Sequence, residues 1–245
     1  MAVTFRREKS MSSERSIDHG PRRGVLFDVD GTLVDSNYFH TLAWWQAFRR
    51  FGHAVPMAAI HRAVGMGGDK LIAHLLGDSR EAEQDGELKS SHGAIFSTLW
   101  PSLVAFEGAS ELIRRCASNG LAVVLASSAG SRDLDVLRRA LDTDQAIAAA
   151  TSSSDAAESK PAPDILEAAL DAGGLRAEDV VFVGDSVWDV EASAKLGIPT
   201  IGLTCGGTSG AELREAGAAE VFRGPDELLA AFEASALGRL AHRGS

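Results

Sequence analysis

Two acids two positions apart, Asp28 and Asp30, follow the apolar run Gly24-Val25-Leu26-Phe27 and precede Gly31-Thr32-Leu33-Val34-Asp35. Carboxylates in that spacing can attack an electrophile, ligate a hard cation or pass a proton. A lone pair of this kind is ordinarily a solvated acidic turn or a helix N-cap. Three further segments change the weighing. Ala126-Ser127-Ser128 closes a second apolar run with hydroxyls and backbone N–H groups. Lys160 lies in Ser159-Lys160-Pro161-Ala162-Pro163-Asp164, where prolines restrict the backbone on both sides of Ala162. Val183-Gly184-Asp185-Ser186-Val187-Trp188-Asp189 brings two more acids after another apolar run. Alone, these read as an N-cap serine, a surface lysine and acids favourably placed at a helix start.

Each segment needs an element to aim it. Short apolar runs at Gly24–Phe27, Leu121–Ala126, Val180–Val183 and Pro199–Gly202 suit strands buried on both faces, as in a parallel sheet. Ala148 to Ser154 reads as the end of another strand and its loop. Amphipathic stretches lie between the runs at Ala109–Ser118, Ser131–Leu141, Pro163–Ala172 and Trp188–Leu196. The alternation predicts a doubly wound, Rossmann-like α/β core with a parallel sheet, in which ligands bind beyond the carboxyl ends of the strands. From about Ser36 to Pro101 the periodicity is helical throughout. Leu42, Trp45, Phe48 and Arg49 predict one helix; Leu71, Ile72, Leu75 and Leu76 a second; Ala94, Ile95 and Leu99 a third. The domain expectation is therefore a flexible segment at 1–22, an α/β core at 23–35 and 105–235, an inserted all-helical cap at 36–104, and a tail at 236–245.

At 245 residues, 45% hydrophobic and 24% charged, the chain can bury a substantial core. A net charge of -10 argues against nucleic acid as a partner, because phosphate neutralisation needs a basic surface. It leaves room for an anionic small molecule, since a metal and a few cations can reverse the field inside one pocket. No apolar run reaches the ~20 residues that cross a bilayer, so no membrane partner is expected. Residues 1–22 hold no apolar stretch of signal-peptide length, and a cytoplasmic location is expected. Two cysteines are too few for a disulfide framework: Cys116 falls in the apolar pattern of a helix, and Cys205 in a loop before Gly206-Gly207.

In this order, from about Arg23 to Gly224, the four segments resemble the haloacid dehalogenase-like superfamily. The small helical insert resembles the cap of its phosphoglycolate phosphatase and β-phosphoglucomutase branch. The resemblance implies a magnesium-dependent phosphatase. Asp28 would attack phosphorus and form an aspartyl-phosphate. Mg²⁺ would be held by the Asp28 carboxylate, the Asp30 backbone carbonyl and the Asp185 carboxylate, with Asp189 orienting water around it. Ser127 and the backbone at Ser128 would hold phosphoryl oxygens, and Lys160 would offset the charge on nucleophile and phosphate. Asp30 would protonate the departing alkoxide and later take a proton from water. Dehalogenase and phosphonatase relatives lack an acid there, so Asp30 favours phosphate esters.

The cap would carry the contacts to the leaving group, which is expected to be a small phosphate ester, phosphoglycolate-like or a sugar phosphate. His40 falls where mutase relatives carry a histidine that helps position the acid. Arg62 and Lys70, with His61, flank Gly65-Met66-Gly67-Gly68, a loop that could face the site, and a basic residue there could grip a second anion. Each of these also fits a solvated cap surface. Mutase relatives place a basic residue at about Gly68 and a lysine shortly after the motif serine, where this chain has Ala129-Gly130-Ser131. A phosphoglucomutase-like phosphoryl transferase and a catalytically silent binding protein on the same fold remain the alternatives. Oligomeric state is not legible.

Overall fold

The computed structural model describes residues 22–77 and 80–243. Of the expected N-terminal segment only Arg22 falls within them.

Six parallel strands form one sheet in the order β3-β2-β1-β4-β5-β6. They are β1 (Gly24–Phe27), β2 (Ala122–Ala126), β3 (Ala149–Thr151), β4 (Val180–Gly184), β5 (Thr200–Leu203) and β6 (Glu220–Phe222). The sheet reverses direction of growth at β1, which pairs with β2 on one side and β4 on the other, Gly24 opposite both Ala122 and Val180. That shared register brings the carboxyl ends of the three strands level.

Alternation along the strands builds two apolar layers. Val25, Phe27, Val123, Leu125, Val181 and Val183 face one way. Helices α5 (Ala109–Ser118) and α6 (Ser131–Leu141) cover them with Leu112, Ile113 and Cys116, and with Leu134, Leu137 and Leu141. Leu26, Val124 and Phe182 face the other way, against Ile165, Leu166 and Ala169 of α7 (Asp164–Gly173) and Ala192 of α8 (Val187–Lys195). Each large side chain buried there stabilises the fold by about 1.5–3 kcal/mol. Helices α9 (Gly210–Ala216) and α10 (Pro225–Ala230) complete the second half. The stretch expected as a C-terminal tail is otherwise: Ala236–Ala241 forms α11, whose Leu237 and Leu240 are buried in the first layer. A period of three apolar positions in so short a helix gave little to read.

After β1 the chain leaves the sheet at Val34-Asp35 and returns at Val104-Ala105. The two passages are bonded side by side: Asp35 N–H donates to Val104 O at 2.9 Å, and Phe106 N–H to Leu33 O at 2.9 Å. Among the described residues between them are four α-helices: α1 (Asn37–Arg50), α2 (Met57–Ala63), α3 (Gly68–Leu76) and α4 (Asp85–Ser97). Three were legible, and α2 was not. They enclose an apolar cluster of their own around Trp44, Phe48, Ile60, Leu71, Ile72 and Leu88. The buried stripe of α1 runs through Ala43, Trp44, Ala47 and Phe48, one position from the Leu42-Trp45 face read from the sequence, and Arg49 is exposed. Among the described residues, no helix is long and apolar enough to cross a membrane.

Candidate active site

Four loops meet where β1, β2 and β4 end. Asp28 follows β1, and its backbone N–H donates to Val183 O at 2.9 Å, continuing the ladder by one bond. Its carboxylate accepts from Lys160 Nζ at 2.6 Å through Oδ1 and from Thr32 Oγ1 at 3.1 Å through Oδ2. Lys160 is fully buried, and its ammonium also lies 2.7 Å from Asp189 Oδ1. A lysine is tolerated at that depth only when ion-paired. Asp189 sits in the first turn of α8, where its Oδ2 accepts from the Ser186 backbone N–H at 3.1 Å and hydroxyl at 2.7 Å. This reciprocal cap starts the helix and fixes the carboxylate together. Asp185 follows β4 and accepts from Asn37 Nδ2 at 2.8 Å.

Asp28, Asp185 and Asp189 each place a carboxylate oxygen within 4.8 Å of the others'. The one ammonium beside them, Lys160, pairs with Asp28 and Asp189. Thr32 Oγ1 lies 3.1 Å from an oxygen of both Asp28 and Asp185, yet its single hydrogen can serve only one. The set therefore carries negative charge that the protein does not neutralise, and a divalent cation with oxygen ligands fits it. The backbone is close as well. A Cβ at Gly206 would stand 1.8 Å from Asp185 Oδ2, so only glycine lets that loop pass.

Asp30 occupies a different setting. Its Oδ1 accepts from the Ser36 hydroxyl at 2.6 Å and faces His40 Nε2 at 3.1 Å. Asp28 and Asp30 line one cavity of about 310 Å³ with Ser128, Ala129 and Gly130. Ser127 is buried and its Oγ accepts from the Ala129 N–H at 3.0 Å, whereas the buried Ser128 Oγ has no partner. An unsatisfied hydroxyl just before the N-terminus of α6 is placed for an incoming anion.

The cap closes this cavity with Trp44, Val64, Gly65, Met66, Gly68 and Leu71, and with Lys89 and His92 of α4. The glycine loop thus faces the site, but its basic neighbours do not. Lys70 pairs with Glu158 at 2.7 Å, exposed, and Arg62 pairs with Glu212 of α9. Arg62 lines a separate cavity of about 590 Å³, with Tyr38, His61 and Trp188, that contains none of the four aspartates. Lys89, His92, Thr32 and Asn37 were not singled out from the sequence. Positions 89, 92 and 96 share a helix face, which is a usable signal only once the face turned to the core is known.

A profile described as haloacid dehalogenase-like hydrolase matches residues 23–197. The chain belongs to this family. Among relatives, the hydrolase is 27% identical over 200 residues to phosphoglycolate phosphatase of Yersinia pestis, covering 75% of this chain and 82% of that one. A hydrolase structure from Pseudomonas syringae superimposes with a TM-score of 0.83 at 30% identity, over 87% of this chain and 99% of that one. A chain from Bacteroides vulgatus named as a candidate β-phosphoglucomutase shares the fold at 23% identity, with a TM-score of 0.79 over 91% of each.

Protonation in the hydrolase follows from these settings. Burial raises the Asp28 carboxyl to about 7; Lys160 pulls against this, and Asp189 and Asp30 add to it. Asp185 is driven well above its ordinary value by burial and by Asp189 and Asp28, against the bonds from Asn37 and Thr32. Burial opposes the charge on Lys160, but Asp189 and Asp28 outweigh it and hold the ammonium above its usual range. Asp30 goes the other way: burial would raise it, and His40 and Ser36 together bring it below its ordinary value. Two neighbouring carboxylates with opposite perturbations have separate tasks.

Proposed function

We propose that this hydrolase is a magnesium-dependent phosphatase of small phosphorylated metabolites, working through an aspartyl-phosphate on Asp28. The observation that supports it most is the division of labour in the cavity. Asp28 is held by Lys160 and Thr32 beside an unpaired serine hydroxyl, while Asp30 is held by Ser36 and His40.

In the first half-reaction an Asp28 carboxylate oxygen bonds to phosphorus, and the bond to the ester oxygen breaks. That oxygen leaves with a proton from the Asp30 carboxyl. Asp30 is ionised in the free protein, and a phosphate arriving beside it opposes that charge, so its proton comes with substrate binding. Ser127, Ser128 and the backbone after β2 hold the phosphoryl oxygens. Lys160 spreads positive charge over nucleophile and phosphate without moving. In the second half-reaction water bonds to phosphorus, gives its proton to Asp30, and frees Asp28 and inorganic phosphate. The Asp28 and Asp185 carboxylates and the Asp30 carbonyl would hold Mg²⁺, which would supply the charge neutralisation this crowded site requires. Asp189, already bonded to Ser186 and Lys160, supports those ligands from behind.

Substrate choice falls to the cap. Lys89 is exposed to solvent at the cavity and lies against Gly68, whose Cβ, if built, would be 3.3 Å from the lysine stem. A cation there favours a leaving group with an anion of its own, and phosphoglycolate, the substrate named for the Yersinia relative, meets that description. A sugar bisphosphate meets it too, which keeps a β-phosphoglucomutase-like transferase as the second reading. A panel of phosphate esters with Mg²⁺ tests both. Free phosphate, lost in Asp28→Asn, is expected; isomerised sugar phosphate without free phosphate supports the transferase. Full turnover by Asp28→Asn overturns both.

A further inference from the structure

Asp30 reaches beyond its own loop. His40 Nε2 faces its Oδ1 at 3.1 Å, and the other nitrogen of that ring, Nδ1, lies 3.1 Å from His92 Nε2. Both histidines belong to the cap, on α1 and α4, which pack closely against each other. Flat contacts fix both ring planes. His40 stacks on Phe96 at 3.8 Å and 19°, and His92 stacks on Trp44 at 4.1 Å and 14°.

We propose that His92 is a positioning residue: acting through His40, it holds the Asp30 carboxyl in the orientation from which it gives and takes the proton. This rests on the phosphatase reading of Asp30. The chemistry of the chain is restrictive. While Asp30 is a carboxylate, His40 bonds to it with hydrogen on Nε2; where that is the ring's one hydrogen, Nδ1 is left in need of a donor. His92 Nε2–H is that donor. Once Asp30 carries the proton, its hydroxyl donates to His40 Nε2. The His40 hydrogen is then on Nδ1, and His92 Nε2 accepts it. One partner must therefore donate in one half-reaction and accept in the other. A neutral imidazole does both, because either ring nitrogen can carry the hydrogen. Burial, and then the His40 ring, push His92 well below its ordinary value, so it is neutral at working pH. A lysine could only donate, and a hydrocarbon could do neither.

A ring that merely fills the cap against Trp44 of α1 would be replaced without loss by phenylalanine. His92→Phe and His92→Gln separate the two roles, since the amide keeps a donor and an acceptor while the phenyl keeps the volume. On an ester the wild type hydrolyses with Mg²⁺, His92→Phe is expected to lower kcat by about tenfold or more with KM held, within the ~10–100-fold typical of a group that orients another. His92→Gln should restore most of the rate. Equal kcat in the two variants, or a loss confined to KM, overturns the proposal. If His92→Phe does not fold, ¹⁵N-imidazole spectra of the wild type decide. A coupling across the His40–His92 hydrogen bond supports the chain, and two uncoupled rings overturn it. A wild type that hydrolyses no ester is a different failure, that of the phosphatase reading.

Discussion

The two walls of the cavity are built by different rules. On the core side, four reactive groups stand within a residue or two of a strand end or a helix start: Asp28 after β1, Ser127 after β2, Asp185 after β4, Asp189 in the first turn of α8. The shared register of β1, β2 and β4 then decides which groups meet. On the cap side, no local motif places a side chain. Whether Lys70 or Lys89 reaches the cavity depends on how four helices roll around Trp44 and Phe48. Reactivity is thus written in short local strings, and selectivity in the docking of whole elements.

The sharpest way to break that contrast is Lys160→Met. If the core wall is a rigid electrostatic unit, phosphate release should fall by about 10³-fold, the scale of losing one preorganised charge partner. Leaving buried carboxylates unpaired should also cost about 3–5 kcal/mol in urea melts. A variant as active as wild type would separate Lys160 from the chemistry.

Metal and pH come next. Asp28 and Asp185 hold their protons more tightly folded than unfolded. The folded state therefore binds more protons than the unfolded one, and metal-free stability should decline as pH rises from about 4 through 7. Mg²⁺ relieves that repulsion, so the Tm gained on adding Mg²⁺ should be larger at pH 8 than at pH 5. An equal gain at both would remove these carboxylates from the metal site.

Lys89→Met addresses the cap wall. KM should rise about fivefold, the upper end for one charge pair at an exposed position, for esters carrying a second anion. For p-nitrophenyl phosphate it should hardly change. An equal effect on both ester types would take Lys89 out of recognition. The smallest effects belong to Arg62→Ala and Lys70→Ala. Their exposed ion pairs are worth ~0–1 kcal/mol, so kcat/KM should stay within about threefold of wild type. A larger, ester-dependent loss would return them to the substrate.

What was legible follows the same division. β1, β2, β4 and β5 showed as apolar runs because both faces are buried, and the motif acids showed because they end those runs. β6 did not, since three half-buried residues beginning with Glu220 at the sheet edge carry no periodic signal. Cap helix α2 was hidden by its length of seven residues, and α11 by its six. Arg62 and Lys70 attracted attention because they flank a glycine loop that does reach the cavity. The sequence does not say that Glu212 and Glu158 stand ready to pair with them. His92 stayed invisible because its partner, His40, is 52 residues away in the chain.

The paired passages at 34–35 and 104–106 have one more consequence. Because the inserted stretch starts and ends at neighbouring points, tied by the bonds Asp35 N–H to Val104 O and Phe106 N–H to Leu33 O, nearly seventy residues could be exchanged without altering the spacing of the core. The sheet would experience such an exchange as a longer or shorter surface loop. A lineage, or an engineer, can thus replace the part that chooses a compound while the part that breaks its bond is inherited intact.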